Sequence, residues 1–595
     1  MPRNRLATRF VIGATVVALA QFAGPATAEV PELITNAPYP VDDTISRSLT
    51  PNLSVYAPAR PGRPAPSVEF ELFGADRTAR LAGATGTRGQ DGRVNWVVPA
   101  GVLADVNEYA WRSRVVVSGR PGAWSEFQVL VADTAEGVDL PSSPPTPRAV
   151  EGLAVTPADG GGYVTWQGAD PGPGAFVTHY VVEAYPAGGT TPAAQVVVDG
   201  TEDHAVVGGL SAQVEYEYGV TALNDWHAGP AARTGPARPA VAPLPAAEFT
   251  TMSTEYLLAR GKLSAGEAAT PAEAAEASPS RDAIRDAVLT DGPEDVEQRE
   301  FLAKRRLDIT SHVASLSDVV VLPSPDGATV TVLATAEQTF GQRATSTDGG
   351  VQQVPEERSG RYEFSFVPTA GAVGARSAGA AWELASATPP PTSVEEPVPP
   401  AAAEATEPDD GPVPEPVLTD GDSFVEGPPL MQAEGVNTNK IADYANRYWR
   451  SPNKSFKIKD KNRDCTNFAS QALRYAGLKK KSGYYKSDSA WWYHGVWPIY
   501  GSYTWYAAHN QFKHMYKKRR AVFRGYFNQA VRGDILYFDN TGNGTIDHVA
   551  VVNGVWKSHI FYTQHSDPRS NVPLWDTLRL KKNRNMKVYI AHVTG

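Results

Sequence analysis

The sequence predicts a multidomain chain, with all-β sandwiches at the N-terminus, a small α+β stalk domain, and a separate α+β domain at the C-terminus. Three observations carry this expectation. At 595 residues the chain is too long to fold around one hydrophobic core. Short alternating runs separated by turns fill its first part, the pattern of stacked antiparallel sheets. Composition then changes after Asn437, with seven of the thirteen tryptophans beyond that point. Charge changes with it. From Ile441 onward there are 26 Lys+Arg against 9 Asp+Glu (+17), and the remainder holds 29 against 56 (−27), giving the net charge of −10.

The segments follow in order. Residues 1–28 read as an export signal. Arg3, Arg5 and Arg9 precede an apolar stretch from Phe10 to Phe22, and Ala26-Thr27-Ala28 supplies a small-residue cleavage pattern. A mature chain starting at Glu29 is expected. No later run reaches membrane-spanning length, so no membrane span is expected after cleavage, and the protein is expected to be secreted and associated with the cell wall. Residues 30–145 form the first β-sandwich. Its strands include Val68-Glu69-Phe70-Glu71-Leu72-Phe73, Val94-Asn95-Trp96-Val97-Val98 and the alternating run from Tyr109 to Val115. Residues 148–242 repeat the style with Val164-Thr165-Trp166, Tyr180 to Tyr185, and Tyr216, Tyr218, Val220 and Ala222 on one strand face. Leu210 ahead of the run Tyr216-Glu217-Tyr218-Gly219-Val220-Thr221-Ala222-Leu223-Asn224 resembles a fibronectin type III module, which implies that Tyr216 is its corner tyrosine. The first sandwich resembles such modules less closely.

Residues 247–386 combine helical character at Phe249 to Lys262 and Val296 to Arg306 with strand runs at Val319 to Leu322, Ala328 to Leu333, Tyr362 to Phe366 and Trp382 to Ala385. These fit the α+β stalk. Residues 387–430 are rich in Pro, Glu, Ala and Asp and are expected to be a disordered linker, which in polyproline-like geometry reaches on the order of 100 Å. Residues 437–595 are the C-terminal domain.

The chain has one cysteine, Cys465, so no intramolecular disulfide forms. A lone thiol in an exported protein is a candidate reactive group. In Asp464-Cys465-Thr466-Asn467-Phe468-Ala469-Ser470-Gln471-Ala472-Leu473 the apolar Phe468, Ala469 and Ala472 follow Cys465 at helical spacing. Cys465 therefore sits in a first helical turn behind Asp464, a good N-cap residue. The unpaired N–H groups and positive helix end there favour a thiolate and can stabilise an oxyanion. Downstream, strands are predicted at Ile535 to Phe538, His548 to Val552 and Ile560 to His565. Antiparallel pairing brings His548 beside His565 or Asp567, giving a nucleophile, a base and an orienting group.

The D-C-T-N-F-x-S-Q run, the later G-D and D-H-V, and H-S-D resemble the amidase domain of bacterial exported proteins, a relative of papain-like, CHAP and NlpC-type hydrolases. The resemblance covers about Lys440 to His592. It implies a papain-like cysteine hydrolase fold, attack by Cys465 and base function for His548. It supports His565 as third member less firmly than Cys465 and His548. Asp464 and Asn467 match the motif without an assigned role, and Asp567 stays an alternative orienter.

Asp539, Thr541, Asn543 and Asp547 stand at positions 1, 3, 5 and 9 of a segment with Gly544 at position 6, a calcium-loop spacing. Position 12 is Ala550, so the bidentate ligand is missing, and an Asn-Gly turn is the alternative. No other cofactor is implied, since zinc spacing, a phosphate loop and a G-x-S-x-G elbow are all lacking. The basic C-terminal domain suggests an anionic partner. The expected partner is a cell-wall polymer, peptidoglycan or an attached anionic polymer, with no nucleic acid, and the protein is expected to be a monomer. The aromatic run from Trp491 to Trp497, with Trp505, borders a substrate groove or packs a core. The expected function is amide hydrolysis through a thioester. The alternatives are transfer through the same thioester and a non-catalytic wall-binding protein.

Overall fold

Alternation at period two builds the N-terminal half. A computed structural model describes residues 36–593 except 40–43, 47, 60–63, 90, 106, 133–144, 173–176, 225, 370–380, 390–413, 418, 421–422, 425–435, 454–455, 457, 459–463, 494–500, 520, 558 and 580–584. The expected export signal and most of the expected linker lie outside the described residues. In the first sandwich, strands Asn52–Tyr56 and Arg93–Val97 belong to one sheet and Ser67–Gly74, Asn107–Val117 and Gln128–Ala132 to the other. Their inward residues, among them Leu53, Val68, Phe70, Val94, Trp111 and Leu130, form one buried core. The second sandwich pairs Glu151–Ala158, Gly161–Gln167 and His204–Val207 against a sheet of Ala194–Asp199, His179–Pro186, Tyr216–Leu223 and Ala232–Arg233. The Tyr216 hydroxyl accepts from Ser211 N–H at 3.3 Å, the contact a corner tyrosine makes. The first sandwich has a tighter one, with Ala104 N–H donating to the Tyr109 hydroxyl at 2.7 Å.

The stalk has helices Ala246–Ala265, Pro271–Glu276 and Arg281–Ala303 on a sheet of Leu307–Pro323, Val330–Thr345, Val351–Gln353, Glu356–Pro368 and Trp382–Thr388. Two of these strands are far longer than the apolar runs predict. Inward positions of Val330–Thr345 include buried Gln338 and Gln342, so the strand continues where apolar alternation stops.

In the C-terminal domain, strands Val522–Arg524, Ile535–Asp539, His548–Trp556, His559–Gln564, Arg569–Pro573 and Lys587–His592 form an antiparallel sheet. Helices Thr438–Tyr448, Cys465–Tyr475 and Ala508–Lys517 cover one face, where Phe468, Ala469 and Phe512 pack on Ile535, Tyr537, Val549 and Val551. Leu536, Phe538, Ala550, Val552 and Tyr562 form a second core on the other face. This sheet is not separate from the stalk. Strand Glu356–Pro368 pairs with Arg569–Pro573, matching Glu357 to Ser570 and Arg358 to Arg569, in one eleven-stranded sheet. Two described parts of the linker segment sit on this body. Pro389 lines a cavity between stalk and C-terminal domain, and Val417 N–H donates to Val588 O at 2.9 Å. A long reach for the C-terminal domain, expected from composition, therefore does not follow from this arrangement. No helix among the described residues is long and apolar enough to cross a membrane.

Candidate active site

Cys465 opens its helix and is 1 % exposed. Asp464 occupies the N-cap position, but its side chain makes no capping bond to the helix backbone. Its carboxylate instead accepts from Asn467 Nδ2 at 2.7 Å and from His565 Nδ1 at 2.8 Å. The second ring nitrogen of His565 donates to Tyr448 O at 2.7 Å. His565 also stacks on Phe468, with centroids 3.9 Å apart. Both of its ring nitrogens are tied to the start of the Cys465 helix and to the end of the preceding one. Asn467 is held at both ends, since its Oδ1 accepts from Trp505 Nε1 at 2.8 Å.

His548 is the first residue of its strand and is 8 % exposed. Its Nε2 lies 2.9 Å from Gln564 Oε1. The amide of Gln564 is oriented by its other end, where Nε2 donates to Asp567 O at 3.0 Å. That settles which atom faces the ring. An oxygen faces His548, so the ring donates to it through Nε2. Gln564, which the sequence reading did not single out, therefore occupies the orienting position expected of His565. Strand alternation explains the exchange, because adjacent residues point to opposite faces. The register Val551 to Thr563 and Val552 to Tyr562 sets Gln564 level with Ala550, on the same face as His548 and one diagonal away. Asp567 orients Gln564 through its carbonyl, and its carboxylate also interacts electrostatically with His548. Burial pushes that carboxyl above the usual range, with Arg569 pulling the other way.

One short turn joins the two halves of the site. Ser566, at φ 76°, accepts Asp464 N–H on its hydroxyl at 3.0 Å. The pairing of these strands runs as far as Val551 and Thr563, and Ser566 lies two residues beyond the strand end at Gln564. Strand alternation turns Val549 and Val551 toward the helices and sets the His548 ring beside Phe538, 5.7 Å away. The helix that begins at Cys465 thus starts at the end of the sheet where His548 begins its strand.

The oxygens of the calcium-like loop are otherwise engaged. Asp539 accepts backbone N–H groups from Gly542, Asn543 and Gly544 at 2.7, 3.1 and 2.8 Å. Asp547 accepts Asn540 N–H at 2.8 Å, and Asn543 accepts Thr545 N–H at 2.7 Å. These bonds make a self-contained turn that uses part of the acceptor capacity of Asp539, Asn543 and Asp547. The loop also precedes His548 directly and fixes its entry into the strand. Trp491, Tyr493 and Trp505 are core residues, whereas Trp492 is half-buried and Trp497 lies outside the described residues.

Residues 435–590 match the family described as "Putative amidase domain". Two Bacillus subtilis (strain 168) proteins are similar over the same kind of length. One is the uncharacterized protein YjcM, 33% identical over 147 residues, covering 24% of this chain and 33% of the relative. The other is the uncharacterized protein YhbB, 31% identical over 113 residues, covering 18% of this chain and 34% of the relative. The chain thus spans about a third of the length of these relatives. Solved fibronectin type III structures are also similar. The FN1–FN3 domains of chicken CNTN1 match at 16% identity and TM-score 0.14, over 33% of this chain and 65% of that one. A two-domain segment of chicken tenascin matches at 14% identity and TM-score 0.14, over 34% and 99%.

Proposed function

We propose that the C-terminal domain is a papain-like cysteine hydrolase that cleaves an amide bond in bacterial peptidoglycan, acting as a secreted, wall-associated monomer. The observation that carries the mechanism is the relay from Asp567 O through Gln564 to His548, in which the ring donates through Nε2. In this reading Nδ1 takes the proton of Cys465. The thiolate attacks the amide carbonyl carbon, and the oxyanion is met by N–H groups of the first helical turn, which have no partner within the helix. Collapse breaks the C–N bond as His548 returns the proton to the departing amine, leaving a thioester. Water attacks the thioester with His548 again as base, releasing a carboxylic acid and the thiol. The basic charge of the domain and the export-like N-terminus support a wall polymer as substrate. The test is digestion of purified peptidoglycan by the full chain and by Cys465→Ala, with mass spectrometry of the fragments. New free amine and carboxyl ends from wild type alone are expected. Equal release by both proteins, or by neither, would overturn the assignment.

A further inference from the structure

The turn that holds His548 is itself gripped from outside the amidase domain. Ser359 N–H of the stalk donates to Pro568 O at 3.0 Å, one residue past the carbonyl that orients Gln564. Asn571 Nδ2 donates to Pro355 O at 2.8 Å, and between these contacts Arg358 pairs with Arg569 in the shared sheet. At the centre is Glu356 on the stalk strand, 1 % exposed. It accepts from Arg569, from Arg358 Nε at 2.6 Å and from Gln342 Nε2 at 2.7 Å.

We propose that Glu356 is a positioning residue for the active site, so that the working catalytic unit is the stalk and amidase domains together. The inference rests on the Cys465–His548–Gln564 reading above. Glu356, Asp567 and Asp576 face Arg358, Arg569 and Arg579 in one buried cluster. Glu356 accepts from two of these guanidinium groups, and a buried charge without its partner is strongly unfavourable. Neutralising Glu356 leaves three guanidinium groups facing two carboxylates. Arg569 then turns toward Asp567, whose carboxylate is already 4.0 Å away. The carbonyl of that same residue orients Gln564, so the displacement passes directly to the amide that fixes the ring proton of His548. Glu356 touches neither Gln564 nor His548; it acts through Arg569 and the turn.

The test needs no knowledge of the substrate. The alkylation rate of Cys465 by iodoacetamide is followed against pH in the full chain, because the rate tracks the thiolate fraction. With Glu356→Gln, the rate at pH 7 is expected to fall about tenfold and the profile to move up by about one pH unit, with helix and sheet content retained. Glu356→Asp, which keeps the charge, should restore most of the wild-type profile. Lys557→Met, which breaks the exposed stalk contact of Lys557 to Asp348 at 3.2 Å, should leave it unchanged. A folded Glu356→Gln protein with the wild-type profile, while His548→Ala shifts it, would overturn the positioning role and leave the catalytic reading intact. If His548→Ala and Gln564→Ala also leave the profile unmoved, the catalytic reading itself fails. Loss of folding in both Glu356 variants would reduce Glu356 to a structural residue and overturn the assignment.

Discussion

Two junctions in this chain each bury an arginine, and they use it in different ways. Between the two sandwiches, Arg93 is fully buried and donates to Asn224 O at 3.1 and 2.9 Å and to Thr178 Oγ1 at 2.9 Å. These acceptors are neutral, and nearby Asp91 is occupied with Ala228 N–H and His227. Between stalk and amidase domain, Arg569 faces three carboxylates and lies on a strand shared by both domains. Apolar packing reinforces that second junction, where Phe561 and Trp575 join Leu302, Ile309 and Phe340 of the stalk in one cluster. The first junction fixes an angle between modules. The second pairs buried charges next to the candidate active site. A module boundary in sequence is therefore a poor guide to a boundary in function.

The comparison breaks most visibly at Arg569. Arg569→Met leaves Glu356, Asp567 and Asp576 facing only Arg358 and Arg579, and removing one partner of a buried ion cluster costs about 3–5 kcal/mol. Stalk and amidase domain are expected to melt together at a markedly lower temperature in calorimetry, while the sandwich transition stays in place. Separate melting of stalk and amidase domain in the wild type would contradict the shared unit.

Acid should reveal the same division. Burial pushes His514 down to about 3 and His312 down to about 4, the first in the amidase domain and the second in the stalk. The ordinary value is 6.5, so between these limits the unfolded chain binds the proton that the folded chain refuses. Stability then rises with pH across that window and is lost as pH falls from 6.5 toward 3. Each depressed histidine contributes up to about 1.4 kcal/mol per pH unit there. Urea titrations at pH 7, 5 and 4 should show the stalk–amidase transition moving to lower urea. In His514→Asn that pH dependence should be shallower, and an unchanged slope would remove His514 as its source.

Much of the site was legible because it depends on local pattern. The helical spacing after Cys465 and the strand signal at His548 need no tertiary information. The contact of Gln564 with His548 was not legible, because Gln564 and His565 are adjacent and only the pleat decides which side chain faces His548. The role of Asp464 as a cap followed from its type, but its carboxylate found a stronger partner in the His565 ring. The shared sheet was not legible at all. Arg569-Ser570-Asn571-Val572-Pro573 pairs with the charged Glu356–Pro368 strand, and neither edge advertises the other by apolar alternation.

At the sandwich junction the expected effects are smaller. Arg93→Met removes donors from the neutral acceptors Asn224 O and Thr178 Oγ1, and the loss of these bonds should be about 1–3 kcal/mol. Small-angle scattering should report a changed angle between the two sandwiches, with the Cys465 alkylation profile unaltered. A shift of that profile would show that the N-terminal junction also reaches the active site, and the contrast between the two junctions would fall.

The smallest expected effect tests how alike the two sandwiches are. Leu103 precedes Tyr109 as Leu210 precedes Tyr216, six residues apart in both, and each tyrosine hydroxyl accepts the N–H five residues upstream. The sequence reading recognised only the second pair, because the first lies in a strand dominated by Trp111 and alternating charges. The shorter contact is at Tyr109, 2.7 Å against 3.3 Å. Removing one such hydroxyl costs about 0.5–1.5 kcal/mol, which appears as faster local hydrogen exchange. Tyr109→Phe should accelerate exchange at Ala104 at least as much as Tyr216→Phe does at Ser211. The opposite order would mean that the Tyr109 contact is incidental and that only the second sandwich is built around its corner.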